Sequence, residues 1–216
     1  MAVLENKNVF VTGGGSGIGL ACARSFASDR ANVLIMGRNE AKLAAAADEL
    51  GAIEGAGRIQ ILTGDVSVEA DVSAAAEQAA IGGVLDIAVA NAGTGGLGPI
   101  MVTESESWDQ IMQTNLNGTF YTIKHSGQWM AKSGGGAICA ISSIAGLRTH
   151  RFMGPYCVSK AGIDMLVRNT ADELGTANIR VNSVCPGLVE TELASGLLET
   201  EEVYEDYLDC MPVRRH

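Results

Sequence analysis

The sequence has few of the features that mark secreted, metal-binding or membrane proteins. No Cys-x-x-Cys pair occurs, so we expect neither a disulfide framework nor a structural metal site. No apolar run is long enough to cross a membrane. The first seven residues also lack the charged-then-apolar order of a signal peptide. These absences predict a soluble, cytoplasmic protein. The five scattered cysteines are Cys22, Cys139, Cys157, Cys185 and Cys210.

Positive charge is also scarce. The chain has 15 lysines and arginines against 25 aspartates and glutamates, which gives a formal net charge of −10 at pH 7. A protein of this charge repels nucleic-acid phosphates and anionic lipid headgroups, so we expect neither partner. A cofactor that carries phosphate would have to be held by local donors, because the overall field opposes it.

What the chain does contain is an ordinary globular composition over 216 residues, with 47% hydrophobic and 19% charged residues. There is no internal repeat, charge block or linker, and the length suits one domain covering residues 1–216. Near-continuous apolar runs, typical of strands buried on both faces, alternate with segments of helical spacing. This alternation predicts an α/β fold with a doubly wound parallel sheet. The predicted strands are 8–12, 32–36, 58–62, 85–90, 137–142 and 180–184. The predicted helices are 17–28, 40–50, 68–80, 106–132 and 155–174, and the acidic tail 199–209 is expected to be helical.

The turn after the first strand carries the strongest local signal. Residues 12–19 read Thr-Gly-Gly-Gly-Ser-Gly-Ile-Gly, which fits Thr-Gly-x-x-x-Gly-x-Gly and not the general Gly-x-Gly-x-x-Gly pattern. A backbone with few side chains, followed at once by a helix N-terminus, suits a pyrophosphate. A glycine-rich turn that merely closes a hairpin is the alternative. The expected cofactor contacts in this turn are Gly13, Gly15, Ser16, Gly17, Ile18 and Gly19.

Two further features could carry acid–base chemistry. Tyr156 and Lys160 lie one helical turn apart, so their side chains share a helix face. The lysine ammonium is expected to lower the tyrosine pKa by stabilising the phenolate. Ser143 ends an apolar strand, at the sheet edge where ligands bind. A solvated helix face for the pair, and a capping hydroxyl for the serine, are the alternatives.

Together, in order and spacing, these motifs resemble the short-chain dehydrogenase/reductase family, in its compact single-domain branch with 3-oxoacyl reductases. The resemblance covers the whole chain. The residues that carry it are the glycine turn 12–19, Asp65-Val66, Asn91-Ala92-Gly93, Asn115, Ser142-Ser143, Tyr156 to Lys160 and Pro186-Gly187.

The resemblance implies a catalytic tetrad of Asn115, Ser143, Tyr156 and Lys160. Tyr156 would exchange a proton with the substrate oxygen, which Ser143 would hold by a hydrogen bond. Lys160 would lower the tyrosine pKa and hydrogen-bond the nicotinamide ribose. Asn115, in the predicted long helix, would hold a water that links Lys160 to solvent. A polar residue on a solvated helix face is the alternative for Asn115.

The resemblance also assigns a cofactor site. Asp65 and Val66 would meet the adenine, while Asn91, followed by Ala92 and Gly93, would lie against the adenine ribose. The nicotinamide would be lined by Pro186, Gly187, Val189 and Thr191.

The end of the second strand bears on the choice of cofactor. Sites that prefer NAD place a carboxylate there to accept from the ribose 2′-OH, and Gly37 supplies none. Arg38 can pair with a 2′-phosphate through charge-assisted hydrogen bonds. NADP(H) is therefore the expected cofactor, with NAD(H) as the other possibility. A solvated loop cation is the alternative for Arg38.

Substrate contacts are expected between Ser143 and Tyr156. Arg148, His150 and Arg151 fall in that segment and could meet an anionic group, with a solvated basic loop as the alternative. They favour a ketone that carries an anionic or polar handle, such as a 3-oxoacyl thioester, and a steroid or another neutral ketone is the alternative substrate. The reaction implied is hydride transfer between NADP(H) and a carbonyl or secondary alcohol. An extended-branch epimerase or dehydratase also uses Tyr-x-x-x-Lys, and a non-catalytic dinucleotide-binding sensor is another class.

Family members usually continue well beyond Met211, with one more helix and a seventh strand. If this chain ends at His216, its C-terminal end is incomplete, and a catalytically impaired NADP-binding protein becomes an alternative. The two long helices are expected to pair with their copies, so we predict a homodimer or homotetramer. The apolar residues expected to serve that contact are Ile111, Met112, Leu116, Phe120, Ile123, Trp129, Ile163, Met165, Leu166 and Val167.

Overall fold

A computed structural model describes residues 2–198, 201–209 and 211–213 of the chain. Six parallel strands form one sheet in the order β3-β2-β1-β4-β5-β6, which confirms the predicted doubly wound α/β fold. The strands are β1 (Asn8–Thr12), β2 (Asn32–Gly37), β3 (Ile59–Thr63), β4 (Ile87–Ala90), β5 (Gly136–Ile141) and β6 (Ile179–Val184). The α-helices of the described residues are α1 (Gly17–Ser28), α2 (Glu40–Gly51), α3 (Glu69–Ala79), α4 (Ser105–Ile111), α5 (Gly118–Ser133), α6 (Gly154–Leu174), α7 (Ser195–Leu198) and α8 (Glu201–Asp209).

Both faces of the sheet are buried, and β1 shows why its sequence is apolar throughout. All five of its residues are buried, with Phe10 facing one side and Val9 and Val11 the other. The Val9 side packs on α1 and α2 through residues such as Ala23 and Leu43. The Phe10 side packs on the remaining layer, formed by α3, α5 and α6. The two apolar layers hold the sheet between them.

The predicted helix 106–132 is interrupted. Helix α4 ends at Ile111, a π-helical segment covers Met112–Asn117, and α5 begins at Gly118. The π segment contains Asn115, whose side chain turns into the protein. A widened turn inside a continuous helix leaves the apolar spacing nearly intact, so periodicity alone did not reveal it. The other predicted bounds agree with the structure to within two residues.

The acidic tail forms α8, although Glu199, at the start of the predicted range, lies outside the described residues, as do Cys210 and His216. None of the helices in the described ranges is long and apolar enough to cross a membrane. The same ranges hold no group of three or more His, Cys, Asp or Glu side chains placed to bind a metal ion.

The topology decides where the functional loops meet. β1 lies between β2 and β4, so the chain leaves the sheet centre in opposite directions at this point. In open parallel sheets the crevice at such a switch point, beyond the carboxyl ends of the strands, binds ligands. The glycine turn follows β1, and the Asn91-Ala92-Gly93 loop follows β4, so both border this crevice.

Candidate active site

A cavity of about 730 Å³ opens at the carboxyl ends of the strands. Segments that follow all six strands contribute to its wall. Of the residues predicted to form the catalytic tetrad and the cofactor site, Asn115, Gly15 and Gly19 do not line the cavity, and the others do. Those that line it are Gly13, Ser16, Gly17, Ile18, Arg38, Asp65, Val66, Asn91, Ala92, Gly93, Ser143, Tyr156, Lys160, Pro186, Gly187, Val189 and Thr191.

The glycine turn has a shape that only glycine allows at its key positions. Gly13 adopts a φ of 65°, in the left-handed region that L side chains rarely occupy, and its N–H donates to the Met36 carbonyl at 2.8 Å. A Cβ at Gly19 would collide with the Gly13 carbonyl oxygen and with Asn91 Nδ2. Gly19 is therefore needed for the turn's shape, whereas Gly15 lies beside Leu43. These two residues do not line the cavity, and their contact with the cofactor stays a prediction.

The N-terminus of α1 faces the cavity with its polar groups available. Among the described residues of its first turn there is no acidic side chain, and the Ser16 side chain makes no capping hydrogen bond. The first N–H groups of the helix and the positive end of its dipole are thus left for an anion. A phosphate-bearing group suits these free donors, and a Cβ at Gly17 would crowd Thr191, another residue of the cavity wall.

The loops after β1 and β4 are tied together at the switch point. Asn91 Nδ2 donates to the carbonyl oxygens of Thr12 and Gly13, at 3.0 and 3.2 Å. In return, Thr12 Oγ1 accepts from the backbone N–H groups of Asn91 and Ala92, at 3.0 and 3.2 Å. This reciprocal pairing holds the glycine turn in register with the next loop. Thr12 was part of the predicted glycine motif, but no role was predicted for it. The structure shows that its side chain joins the two loops.

Asn115 is completely buried, so the solvated-face alternative is wrong. Its Nδ2 donates to the Thr94 carbonyl at 2.9 Å and to Ser159 Oγ at 3.0 Å, and its Oδ1 accepts from the Thr94 N–H at 2.7 Å. Ser159 Oγ in turn donates to the Tyr156 carbonyl at 2.7 Å. Both side-chain N–H groups of Asn115 are engaged within the protein. The amide therefore clamps the loop after β4 to α6, and the expected water would have to bond elsewhere on the residue.

Lys160 is almost fully buried, with only 4% of its surface exposed. Its Nζ donates to the Ile141 carbonyl at 2.8 Å and lies 5.6 Å from the centroid of the Tyr156 ring. Burial lowers the Lys160 pKa to about 8, against the opposing effects of Asp164 and Cys185. An ammonium Nζ has three N–H groups, so two remain for a bound ligand after the bond to Ile141.

The acid–base pair differs from the prediction in one respect. Burial raises the pKa of the Tyr156 phenol, and a hydrogen bond with Ser143 only partly opposes this. The Lys160 ammonium is not among the causes of this shift, and the direction of the Tyr156 pKa is opposite to the expected lowering. Ser143 also acts as a cap, since its Oγ accepts from the Ala145 N–H at 3.1 Å. Ser143 thus serves both as a cap and as a partner of Tyr156, and its contact with the substrate oxygen stays a prediction.

Arg38 lines the cavity directly after β2, and 67% of its side chain is exposed. One of its nitrogens lies 3.9 Å from Asp65 Oδ2. Asp65 is held in turn by Ser67, whose N–H and hydroxyl donate to Oδ1 at 2.9 and 2.8 Å. Asp65 is thus fixed in place, while Arg38 makes only a long, exposed ion pair that a stronger anion could displace.

Two contacts at the site join residues that lie far apart in the sequence. No local sequence pattern could have revealed these contacts. Lys42 Nζ on α2 meets both oxygens of Glu192 at 2.6 and 2.7 Å, which draws the segment after β6 across the glycine turn. At the other end, Tyr207 Oη lies 3.0 Å from His150 Nδ1 and the two rings stack. Both rings line the cavity.

The three residues of the basic segment before α6 differ in whether they line the cavity. His150 lines the cavity, and burial followed by the charge of Arg148 lowers its pKa. Arg148 and Arg151 do not line it, and the Arg151 guanidinium lies 5.0 Å from the Phe152 ring centroid. Of the three residues expected to border the substrate, the described cavity wall contains only the histidine.

Comparison with known proteins identifies relatives along the whole chain. Residues 7–202 match the family described as short chain dehydrogenase. A galactitol 2-dehydrogenase (L-tagatose-forming) of Cereibacter sphaeroides is 37% identical over 214 residues, covering 98% of this chain and 83% of the relative. A 3-oxoacyl-acyl-carrier-protein reductase of Chlamydia muridarum is 35% identical over 215 residues, covering 99% of this chain and 86% of the relative.

Solved structures agree with these relatives. A short-chain type dehydrogenase/reductase from Mycobacterium ulcerans superposes with a TM-score of 0.94 and 40% identity, over 99% of this chain and 78% of the other. A protein from Beutenbergia cavernae, assigned as an NAD(P)-dependent gluconate 5-dehydrogenase and solved with bound NADP at low occupancy, gives a TM-score of 0.92 at 28% identity. That match covers 99% of this chain and 85% of the other.

Proposed function

This chain belongs to the short-chain dehydrogenase family, and on that premise we propose that it is an NADP(H)-dependent oxidoreductase that interconverts a carbonyl group and a secondary alcohol. The observation that carries the proposal is the convergence of Ser143, Tyr156 and Lys160 on the cavity that the glycine turn and the N-terminus of α1 also line. A proton-transfer group and a cradle for phosphate therefore face one space.

The proposed roles of the side chains follow from their positions. When bound, NADP(H) supplies or accepts the hydride. In reduction, the Tyr156 hydroxyl gives its proton to the substrate oxygen, and in oxidation the phenolate takes that proton back. The Ser143 hydroxyl donates a hydrogen bond to the same oxygen, and the Lys160 ammonium lessens the cost of the phenolate. A raised Tyr156 pKa in the free protein suits a group that must arrive protonated for reduction.

The remaining cavity residues are proposed to hold the cofactor. The turn 13–18 receives the pyrophosphate, Asp65 and Val66 border the adenine, and the loop starting at Asn91 borders its ribose. The segment from Pro186 to Thr191 lines the nicotinamide end. Arg38 binds the 2′-phosphate, because Gly37 provides no carboxylate to accept from a 2′-OH.

For the substrate we propose a small ketone or secondary alcohol that carries further polar groups. The stacked His150 and Tyr207 rings provide polar atoms on the wall of the cavity. The names of the relatives, galactitol dehydrogenase and 3-oxoacyl reductase, support the same class, since both substrates have oxygen atoms near the reacting carbon. Because Arg148 and Arg151 do not line the cavity, an anionic group is not required.

The proposal is tested by following NADPH consumption against a panel of ketones that includes keto sugars, 3-oxoacyl thioesters and neutral ketones. Tyr156→Phe removes the transferable proton but keeps the ring, so turnover should fall about 10²–10⁴-fold while NADPH still binds. Tyr121→Phe on α5 is the matched control and should keep its activity. If NADPH binds but no ketone is reduced, the chain is a cofactor-binding protein and the catalytic proposal fails.

We also propose a homodimer through α5 and α6, on a smaller surface than the sequence suggested. Ile111, Ile123, Ile163 and Val167 are buried within the chain and cannot serve as contacts. The apolar side chains left exposed on these helices include Phe120, Val158 and Met165. A stable monomer in light scattering would contradict the dimer, and a tetramer would require a second interface. The cytoplasmic location stays a prediction.

A further inference from the structure

A buried carboxylate lies directly behind the proposed catalytic pair. Tyr156, Lys160 and Asp164 are spaced by four residues along α6, so their side chains follow one stripe of the helix. Asp164 is 6% exposed. Among the described residues, no donor meets its Oδ2, and its Oδ1 has only the Cys185 thiol at 3.6 Å. This acid has no role in the steps described above.

The surroundings of Asp164 are shaped to bring the loop after Ser143 close to it. A Cβ at Gly146 would lie 2.7 Å from Asp164 Oδ2 and 2.9 Å from the carbonyl carbon of Lys160. Ser142 Oγ donates to the Lys160 carbonyl at 3.2 Å from the same side. A glycine at position 146 therefore lets the backbone pack against the carboxylate without displacing it.

An unpaired buried carboxylate is costly, so its presence here needs a compensating charge. The cation one helical turn away is Lys160, which is itself buried and makes one hydrogen bond, to the neutral Ile141 carbonyl. Cys185 faces the pair from the segment after β6, and Tyr156 lies on the other side of Lys160. The π segment presents the neutral Asn115, and the loop after β5 presents backbone groups. Asp164 is thus the carboxylate that offsets the charge of Lys160, and Cys185 adds to its effect.

We propose that Asp164 is a positioning residue for the proposed reaction, because its carboxylate is the buried counter-charge that keeps Lys160 protonated and thereby sets the alkaline limit of turnover. This inference rests on the proposed function for its kinetic consequence, but the protonation of Lys160 can be measured without turnover.

The direction of the effect follows from the charges. Burial favours the neutral amine and lowers the Lys160 pKa to about 8, while the Asp164 carboxylate raises it. Removing that carboxylate must lower the pKa further, so the alkaline limb of the pH–rate profile moves to lower pH. A displacement of about one pH unit would reduce activity about fivefold at pH 8 and leave it almost unchanged at pH 6.

The experiment compares pH–rate profiles of the parent, Asp164→Asn and the matched control Asp172→Asn, which removes an exposed carboxylate from the same helix. We expect the alkaline limb to shift only in Asp164→Asn. Asp164→Glu should restore the limb because it restores the charge. Asp164→Ser, which is smaller than the native side chain, is a second neutral variant in case the asparagine does not fit.

A second readout separates this inference from the proposed function. Brief labelling with acetic anhydride, read for Lys160 by peptide mass spectrometry against the exposed Lys132, reports the neutral amine without any substrate. In Asp164→Asn, labelling of Lys160 should rise at lower pH than in the parent. An unchanged labelling curve, or an activity loss that is equal at every pH, would overturn the role of Asp164. Shifted labelling in a protein that reduces no ketone would support Asp164 and refute the catalytic proposal.

Discussion

The clearest test of the cofactor assignment is the replacement of Arg38 by alanine. A charge-assisted pair between a guanidinium and a 2′-phosphate contributes about 1.5–3 kcal/mol. Before it can bind phosphate, Arg38 must leave Asp65, to which it is joined by an exposed contact of 3.9 Å. Such exposed pairs contribute about 0–1 kcal/mol. The net effect is about 0.5–3 kcal/mol, so we expect NADPH to bind roughly 2–160-fold more weakly to Arg38→Ala.

The same reasoning predicts an opposite effect at the partner residue. Asp65→Asn frees Arg38 from its ion pair, which should raise NADPH affinity by up to about fivefold. This gain offsets any affinity that is lost with the adenine contact of Asp65. NADH, which has no 2′-phosphate, should receive no such offset. The ratio of NADPH to NADH affinity should therefore rise in Asp65→Asn and fall in Arg38→Ala.

Fluorescence titration of each variant with both cofactors measures these ratios directly. Arg58→Ala, which removes an exposed arginine before β3, is the matched control and should bind both cofactors as the parent does. Equal affinity of the parent for NADPH and NADH would refute the assignment. So would an Arg38→Ala variant that loses both cofactors to the same extent, because the side chain would then be acting on something other than the 2′-phosphate.

Other predictions follow from single contacts. Lys160→Ala should reduce both turnover and cofactor affinity, whereas a loss of turnover alone in steady-state and binding assays would remove its ribose role. Gly19→Ala should destabilise the fold by about 1–3 kcal/mol in urea unfolding, because the new methyl group meets the Gly13 carbonyl. Hydrogen bonds from Lys124, then His125, lower the pKa of the exposed Glu69. Their stabilisation is therefore present above the unfolded pKa of about 4.3 and is lost as the pH falls through the folded pKa. Glu69→Gln should accordingly lower Tm at pH 7 and not at pH 3, and a difference that persists at pH 3 would contradict this.

Much of the fold and of the site's membership followed from the sequence, because the signals are local. Continuous apolar strands that alternate with amphipathic helices specify a doubly wound sheet, and parallel strands bring the segments after their carboxyl ends to one edge. The glycine turn after β1 and the Tyr156–Lys160 spacing on α6 could be interpreted for the same reason. Each depends on residues within a few positions of one another, whose geometry the backbone dictates.

Tertiary structure alone decided what depends on distant residues or on burial. The pairing of Lys42 with Glu192 joins segments 150 residues apart, and no local pattern announces it. The side chain of Asn115 turned out to be a buried clamp because Thr94 and Ser159 converge on it from two other elements. The direction of the Tyr156 pKa was predicted wrongly, since the sequence shows the neighbouring ammonium but not the loss of water around the phenol. Chain neighbours are visible in a sequence, whereas the solvent that folding removes and the partners it brings together exist only in the folded molecule.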